Sequence, residues 1–245
     1  MTGMQFTFTL ADNYFALLGE NSATNQFKYC VKKANLIIEK LRVLDSYALS
    51  FEKKLLDSGP ATFLLPRWRC NSFHIPQNSG TYVVSDIFSQ QFAPQYFYVF
   101  LTTQQEASGT NLQSSCFNFR HHNIRDIEVT ADSTRFPNIP FEPNWTDNLD
   151  IRSWLSLYSS TSEAGNFTDE ATYVDRARFR SGYAIFRVDL NSSKCLDSTV
   201  PKLMSAVKIK LTFSVLTNPN LMMYILSYSL DELFVDSQRQ VIRSY

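Results

Sequence analysis

The sequence predicts an all-β fold, an eight-stranded antiparallel jelly-roll sandwich with two short inserted helices. Three observations lead there. Period-two alternation of apolar and polar residues dominates the chain, the alternating segments number roughly eight, and helical periodicity is confined to two short stretches. Eight antiparallel strands in two sheets is the strand count of a jelly roll.

The clearest strand runs from Val207 to Val215. Val207, Ile209, Leu211, Phe213 and Val215 fall on one face, with Lys208, Lys210, Thr212 and Ser214 on the other. After the turn signal Thr217-Asn-Pro-Asn220 comes a strand from Leu221 to about Leu230, with Met222, Tyr224, Leu226, Tyr228 and Leu230 on one side. The two are either a hairpin or neighbours that cross between two sheets. Further strands are expected at Gln5–Leu10, Phe27–Leu41, Trp68–Ile75, Gln95–Thr102, Ile124–Ala131 and Gly182–Leu190. A disturbed parity at Lys32-Lys33 points to a bulge or bend in the second of these. The shared core is expected to hold Phe186, Ile209, Leu211 and Phe213.

Two segments depart from this pattern. Tyr47–Leu56 places Ala48, Phe51 and Leu55 at helical spacing and stops at Ser58-Gly-Pro60. Asp150–Tyr158 places Ile151, Trp154, Leu155 and Tyr158 on one face, with Asp147, Asn148 or Asp150 as a cap. Polar, irregular sequence over Thr103–Ser115 and Ser159–Ser181 predicts surface loops. No repeat or linker divides the chain, so residues 1–245 are expected to form a single domain.

The charge balance narrows the function classes. Lys plus Arg and Asp plus Glu both number 23, which leaves no surplus of cations for phosphates, so direct nucleic-acid binding is not expected. Lys32-Lys33 and Lys53-Lys54 are read as solvated faces. No apolar run reaches the length of a membrane span, and the start Met1-Thr-Gly-Met-Gln-Phe6 is not a signal peptide, so a non-secreted protein with no membrane partner is expected. The sequons at Asn144, Asn166 and Asn191 are then chance matches. Cys30, Cys70, Cys116 and Cys195 are scattered, with no C-x-x-C pair, and are expected to be reduced thiols.

Catalytic signatures are lacking. The sequence holds no G-x-S-x-G, Walker, G-x-G-x-x-G or H-E-x-x-H motif, and no cofactor or metal ligand set is assigned. Adjacent His121 and His122 point to opposite faces of an extended segment, which leaves one packed and one solvated, and His74 is read as structural. Asp231-Glu232 after the last strand is read as a solvated pair. An enzyme is not expected.

The aromatic residues carry the one positive functional signal. Trp68, Phe73, Tyr82, Phe92, Tyr96, Phe97, Tyr98 and Phe100 crowd into a third of the chain, and Tyr96–Leu101 is apolar on both faces. A strand apolar on both faces needs cover on both sides. Tyr96, Phe97, Tyr98, Val99, Phe100 and Leu101 are therefore the candidate interface, one alternate set facing a partner and the other facing the core.

Several motifs share an order with a known family. They are Cys116-Phe-Asn-Phe-Arg-His-His-Asn123, the following Ile124–Thr130, and Pro137-Asn-Ile-Pro-Phe-Glu-Pro-Asn-Trp145. Arg152–Ser159, Gly182–Leu190, Val207–Leu216 and Met222–Val235 follow, closed by Arg239-Gln-Val-Ile242, while Lys33–Leu56 and Arg69–Pro76 precede. In this order they resemble the double jelly-roll major capsid proteins of Maverick (Polinton) elements and adintovirus-like viruses, whose architecture is related to hexon. The similarity is to the second, C-terminal half of those proteins. It implies a structural capsid protein of the virion, made in the host cytoplasm or nucleus, or a host-retained remnant of one. It also implies self-association as a trimer, a separate chain supplying the first jelly roll, or contacts with other capsid proteins. The alternative is a carbohydrate- or receptor-binding jelly-roll module.

Overall fold

A computed structural model of the chain describes residues 7–10, 19, 29–37, 39, 41–88, 94–109, 114–131, 133–158, 174–190, 206–238 and 240–243. Nine strands are described: β1 (Ala61–Ile75), β2 (Thr81–Val84), β3 (Tyr96–Thr103), β4 (Ile124–Ala131), β5 (Thr134–Phe141), β6 (Phe186–Asp189), β7 (Val207–Phe213), β8 (Leu221–Val235) and β9 (Val241–Arg243). Four helices accompany them: α1 (Asp45–Ser58), α2 (Gln104–Ala107), α3 (Ile151–Tyr158) and α4 (Arg176–Ser181).

The pairing is that of a rolled hairpin. β1 pairs with β8, β2 with β7, β3 with β6 and β4 with β5, all antiparallel. Alternate pairs fall in alternate sheets, giving the order β1-β8-β3-β6 in one and β2-β7-β4-β5 in the other, with β9 added to β8. First-with-last pairing distributed over two sheets in this way is the jelly roll, and it identifies the fold from strand order alone. The two sheets are called A and B below, in that order.

The buried core lies between the sheets. Sheet A contributes Phe97, Val99, Phe186, Val188, Met223 and Ile225, and sheet B contributes Ile127, Val129, Val207, Ile209, Leu211 and Phe213. All four core residues expected from alternation are buried. Alternation explains why: β7 reads buried at every odd position from Val207 to Phe213, and Lys208 and Thr212 face outward. β7 and β8 are not a hairpin. The seven residues between them carry the chain from sheet B to sheet A.

Several element assignments need correction. Residues 7–10, 29–37, 39 and 41 form neither strand nor helix, so the first two expected strands are not formed by their described residues; residues 5, 6, 27, 28, 38 and 40 lie outside the described set. Among the described residues their apolar side chains are exposed: Ile37 is 94% and Leu41 85% exposed. Two unexpected strands, β2 and β5, restore the count of eight in the roll. β2 has four residues, too few to display a period. β5 contains Pro137 and Pro140, which remove ladder donors, and it is tolerated because it is the edge of sheet B.

The helices number four among the described residues, rather than two. α2 and α4 lie inside the expected loops 103–115 and 159–181. α2 forms because Thr103 and Glu106 make a reciprocal capping box, and α4 because the Asp175 carboxylate accepts from the Arg178 amide. The expected apolar stripe of α1 is only partly covered: Leu55 is buried, while Phe51 is 46% exposed.

Candidate assembly surface

The strand register determines what the outer face of sheet A presents. Trp68 of β1, Tyr228 of β8 and Tyr96 of β3 form one row, and Cys70, Leu226 and Tyr98 the next. Ser72, Tyr224 and Phe100 make the third. The alternate side chains of β3, Phe97, Val99 and Leu101, turn into the core and are at most 1% exposed. The candidate strand therefore divides cleanly. Tyr96, Tyr98 and Phe100 lie outward and half-buried; Phe97, Val99 and Leu101 are core and are not available for contact.

The outward rings pack on each other. Trp68 meets Tyr228 at 5.0 Å and 60°, and Tyr96 at 6.0 Å and 74°, both edge-to-face. Tyr96 stacks on Tyr228 at 4.8 Å. Phe100 packs against Phe119 at 4.4 Å and Tyr224 at 5.7 Å. Trp68 nevertheless leaves 49% of its surface in solvent. Aromatic edges and faces arranged in this way keep the rings in place without covering them.

The one charge within this patch is internally spent. Arg187 of β6 is 3% exposed, lies over the Tyr96 ring at 3.9 Å, and donates from Nε to the Asp189 carboxylate at 2.6 Å. Burial pushes the Tyr224 phenol above its ordinary value, with the Cys70 and Cys116 thiols adding to the effect. Tyr224 is thus neutral across the physiological range, and the ions of the patch, Arg187 and Asp189, are paired with each other.

The outer face of sheet B is of the opposite kind. Glu128 sits between Arg135 at 2.6 Å and Lys210 at 3.7 Å, a row of surface ion pairs that water covers well. The Asp126 carboxyl is pushed up by burial and by the neighbouring Glu128 and Glu142 carboxylates, against the pull of Lys210 and Arg125. The two faces of one sandwich thus differ: one is charged and paired, the other aromatic.

Beyond the end of β3, sheet A continues as a narrow arm. β1 pairs with β8 from Ala61↔Val235 to Arg67↔Ser229, and β9 adds to the far edge of β8 over its last three residues. β3 does not reach this part of β8. Consecutive Phe63, Leu64 and Leu65 are 47%, 44% and 45% exposed, so both faces of the arm present apolar surface.

Sequence reading named Tyr96, Tyr98 and Phe100, which point outward, and did not place Trp68, Leu226 and Tyr228 on the same face. Their alternation was legible; what made them neighbours is the β1-β8-β3 order, which no local pattern encodes. The histidines also need correction. His121 and His122 are both half-buried, rather than one packed and one solvated, while His74 is exposed at the end of β1. Among the described residues no group of three or more His, Cys, Asp or Glu could hold a metal ion, and no helix is long and apolar enough to cross a membrane.

A buried polar network at the opposite end from the arm is structural. Asp150 is fully buried and receives Arg176 Nη2 at 2.6 Å, while Arg180 donates to the Asn148 side chain and the Trp145 carbonyl. These contacts tie α4 to the segment before α3 and satisfy the buried carboxylate.

With the fold in place, known proteins can be compared. No known family profile matches the chain. A Caenorhabditis elegans protein, the uncharacterized protein F54H12.2, is 19% identical over 223 residues, covering 90% of this chain and 52% of that protein. The chain thus spans about half the length of the curated relative it matches. Two solved structures are similar over 76% of the chain: the mavirus major capsid protein, at 10% identity, TM-score 0.37 and 41% of that chain, and the Sputnik virophage structure, at 13%, 0.40 and 39%. The jelly-roll assignment rests on the strand order described above.

Proposed function

We propose that this chain is a structural protein of a viral-type capsid, or a domesticated remnant of one, that acts by subunit assembly and without catalysis. The observation that carries the proposal is the aromatic outer face of sheet A, whose one ion pair, Arg187 with Asp189, is closed on itself, set against the ion-paired outer face of sheet B. Trp, Tyr and Arg are the residue types that dominate binding energy at protein interfaces, and here they occupy one contiguous patch centred on Trp68 and Tyr98. The ordered motif resemblance supplies the kind of assembly: residues 1–245 are read as one domain, its jelly roll spanning Ala61 to Arg243 and comparable to the second half of a Maverick-type capsid subunit. Its partners are further copies of itself, three by resemblance, or a chain that contributes the first roll, together with other capsid proteins. The site of action is the virion.

A glycan-binding jelly roll is the competing reading. Sugar rings stack on open aromatic faces, whereas Trp68 is engaged by three neighbouring rings, edge-to-face with Tyr96 and Tyr228 and stacked with Tyr98 at 6.3 Å, which favours a protein partner. The test is Trp68→Ser combined with Tyr98→Ser, with mass in solution measured by sedimentation and folding checked by circular dichroism. Loss of the oligomer with the fold retained is the expected result. An unchanged mass would remove this face from the interface.

A further inference from the structure

The turn leading into β4 holds two histidines that the assembly surface does not use. The His121 carbonyl accepts from the Ile124 amide at 2.9 Å, and the residues between, His122 and Asn123, have φ of 44° and 55°. Two successive left-handed residues make a tight turn of the kind that Asn and Gly enter readily. The rings leave it in opposite directions. His121 stacks on Trp145 at 4.1 Å and 14°, and its Nδ1 accepts from the Asn123 amide at 3.0 Å. His122 instead lines a cavity with Asn123, Val215, Leu216, Thr217, Asn218 and Leu221, where its Nε2 is buried and has no hydrogen-bond partner.

The same turn fastens two other segments. The Asn123 carbonyl accepts from both the amide and the hydroxyl of Ser214, at 2.9 and 3.1 Å, which secures the end of β7. Three residues on, the Thr217 hydroxyl donates to the Pro76 carbonyl at 2.8 Å and accepts from the Ser79 amide at 2.9 Å, which secures the β1–β2 connection.

We propose that the His121–Ile124 turn is an acid-opened latch: closed at neutral pH, it holds the β7–β8 connection against the start of β4, and it opens when His122 gains a proton. A protonated Nε2 would stay buried without an acceptor, because the Thr217 hydroxyl is engaged on both sides and the Asn218 amide oxygen already accepts from Gln77. The groups facing His122 are few. Burial holds its pKa down to about 4; Glu106 of α2 favours the proton, His121 and Arg120 oppose it, and residues 215–221 contribute no titratable group. Burial and Arg180 also push His121 down, against the pull of Asp150.

The sign follows from linkage. An opened His titrates near 6.5, so below that pH the open turn binds more protons than the closed one. The closed state therefore holds its full advantage above pH 6.5 and loses it progressively as pH falls toward 4, by a factor on the order of a hundred. Native-state hydrogen exchange on the full chain reads this directly through the Ile124 and Ser214 amides, with Val129 in the middle of β4 as the reference. Between pH 7 and pH 4.5, protection of Ile124 and Ser214 is expected to fall by some tens of times more than that of Val129. His122→Asn, which suits the left-handed φ and does not titrate, should remove most of that difference, the remainder belonging to His121. A pH-independent ratio in the wild type, or a dependence that persists undiminished in His122→Asn, overturns the proposal; if the variant fails to fold, the wild-type profile decides alone.

Discussion

Phe186 offers the sharpest test of the sandwich. Its ring is fully buried and touches three others: Phe179 of α4 at 5.8 Å, Phe141 of β5 at 6.2 Å and Trp145 at 6.5 Å. It therefore joins sheet A to the edge of sheet B and to α4 at once. Core Phe→Ala changes cost about 3–5 kcal/mol, from lost transfer energy and the cavity left behind. Each aromatic pair adds about 0.5–1.5 kcal/mol beyond area, so Phe186→Ala belongs at the top of that range, about 5 kcal/mol. With a urea m-value of about 2–3 kcal/mol/M, the midpoint should fall by roughly 2 M. Phe213→Ala, at 5% exposure and with no such ring cluster, should fall lower in the same range of about 3–5 kcal/mol. Leu65→Ala on the arm, 45% exposed, is the control and should cost less than about 1 kcal/mol. A loss below 1 kcal/mol for Phe186→Ala would show that the two sheets do not meet where the structure places them.

Three further outcomes are expected. Arg187→Ala should destabilise by about 2–3 kcal/mol in denaturant unfolding, because it strands the Asp189 carboxylate and uncovers Tyr96, while Arg187→Met should recover part of the loss by keeping the apolar stem. Glu106→Ala should cost about 2 kcal/mol, since the carboxylate accepts from the hydroxyls of Thr102, Thr103 and Ser114 and from the Thr103 amide, and Thr102 is only 1% exposed. Burial raises the Glu106 pKa but these bonds outweigh it and the net shift is downward, so its stabilisation is present above pH 4.5 and is lost as pH falls through the native value; Glu106→Gln should flatten the stability profile in that acid window.

How far the sequence foretold the structure depended on where each signal came from. The alternation of β7 and β8 has a buried cause on one face and a visible outward one on the other, so Phe213 and Tyr224 were both legible. Residues 30–37 show a similar run of apolar residues and are exposed, because period two states a preference and burial needs a neighbour. β5 was hidden by Pro137 and Pro140, permitted only at a sheet edge, a position that the sequence does not reveal. α2 was hidden by its length of four residues, although its Thr103–Glu106 capping box was there to be read. In the candidate surface the strand Tyr96–Leu101 was found, and the choice between its two faces required the sandwich. Trp68 joined it only through a pairing that spans 160 residues, from Trp68 to Tyr228.

The central claim is that the outer face of sheet A is covered in the working protein, and the mass of the native wild-type chain tests it most directly. Sedimentation across a wide concentration range should show a closed oligomer, three copies by resemblance, or a stable complex with a co-purifying chain. A wild type that remains a monomer at the highest concentration, with no companion chain, would contradict the account.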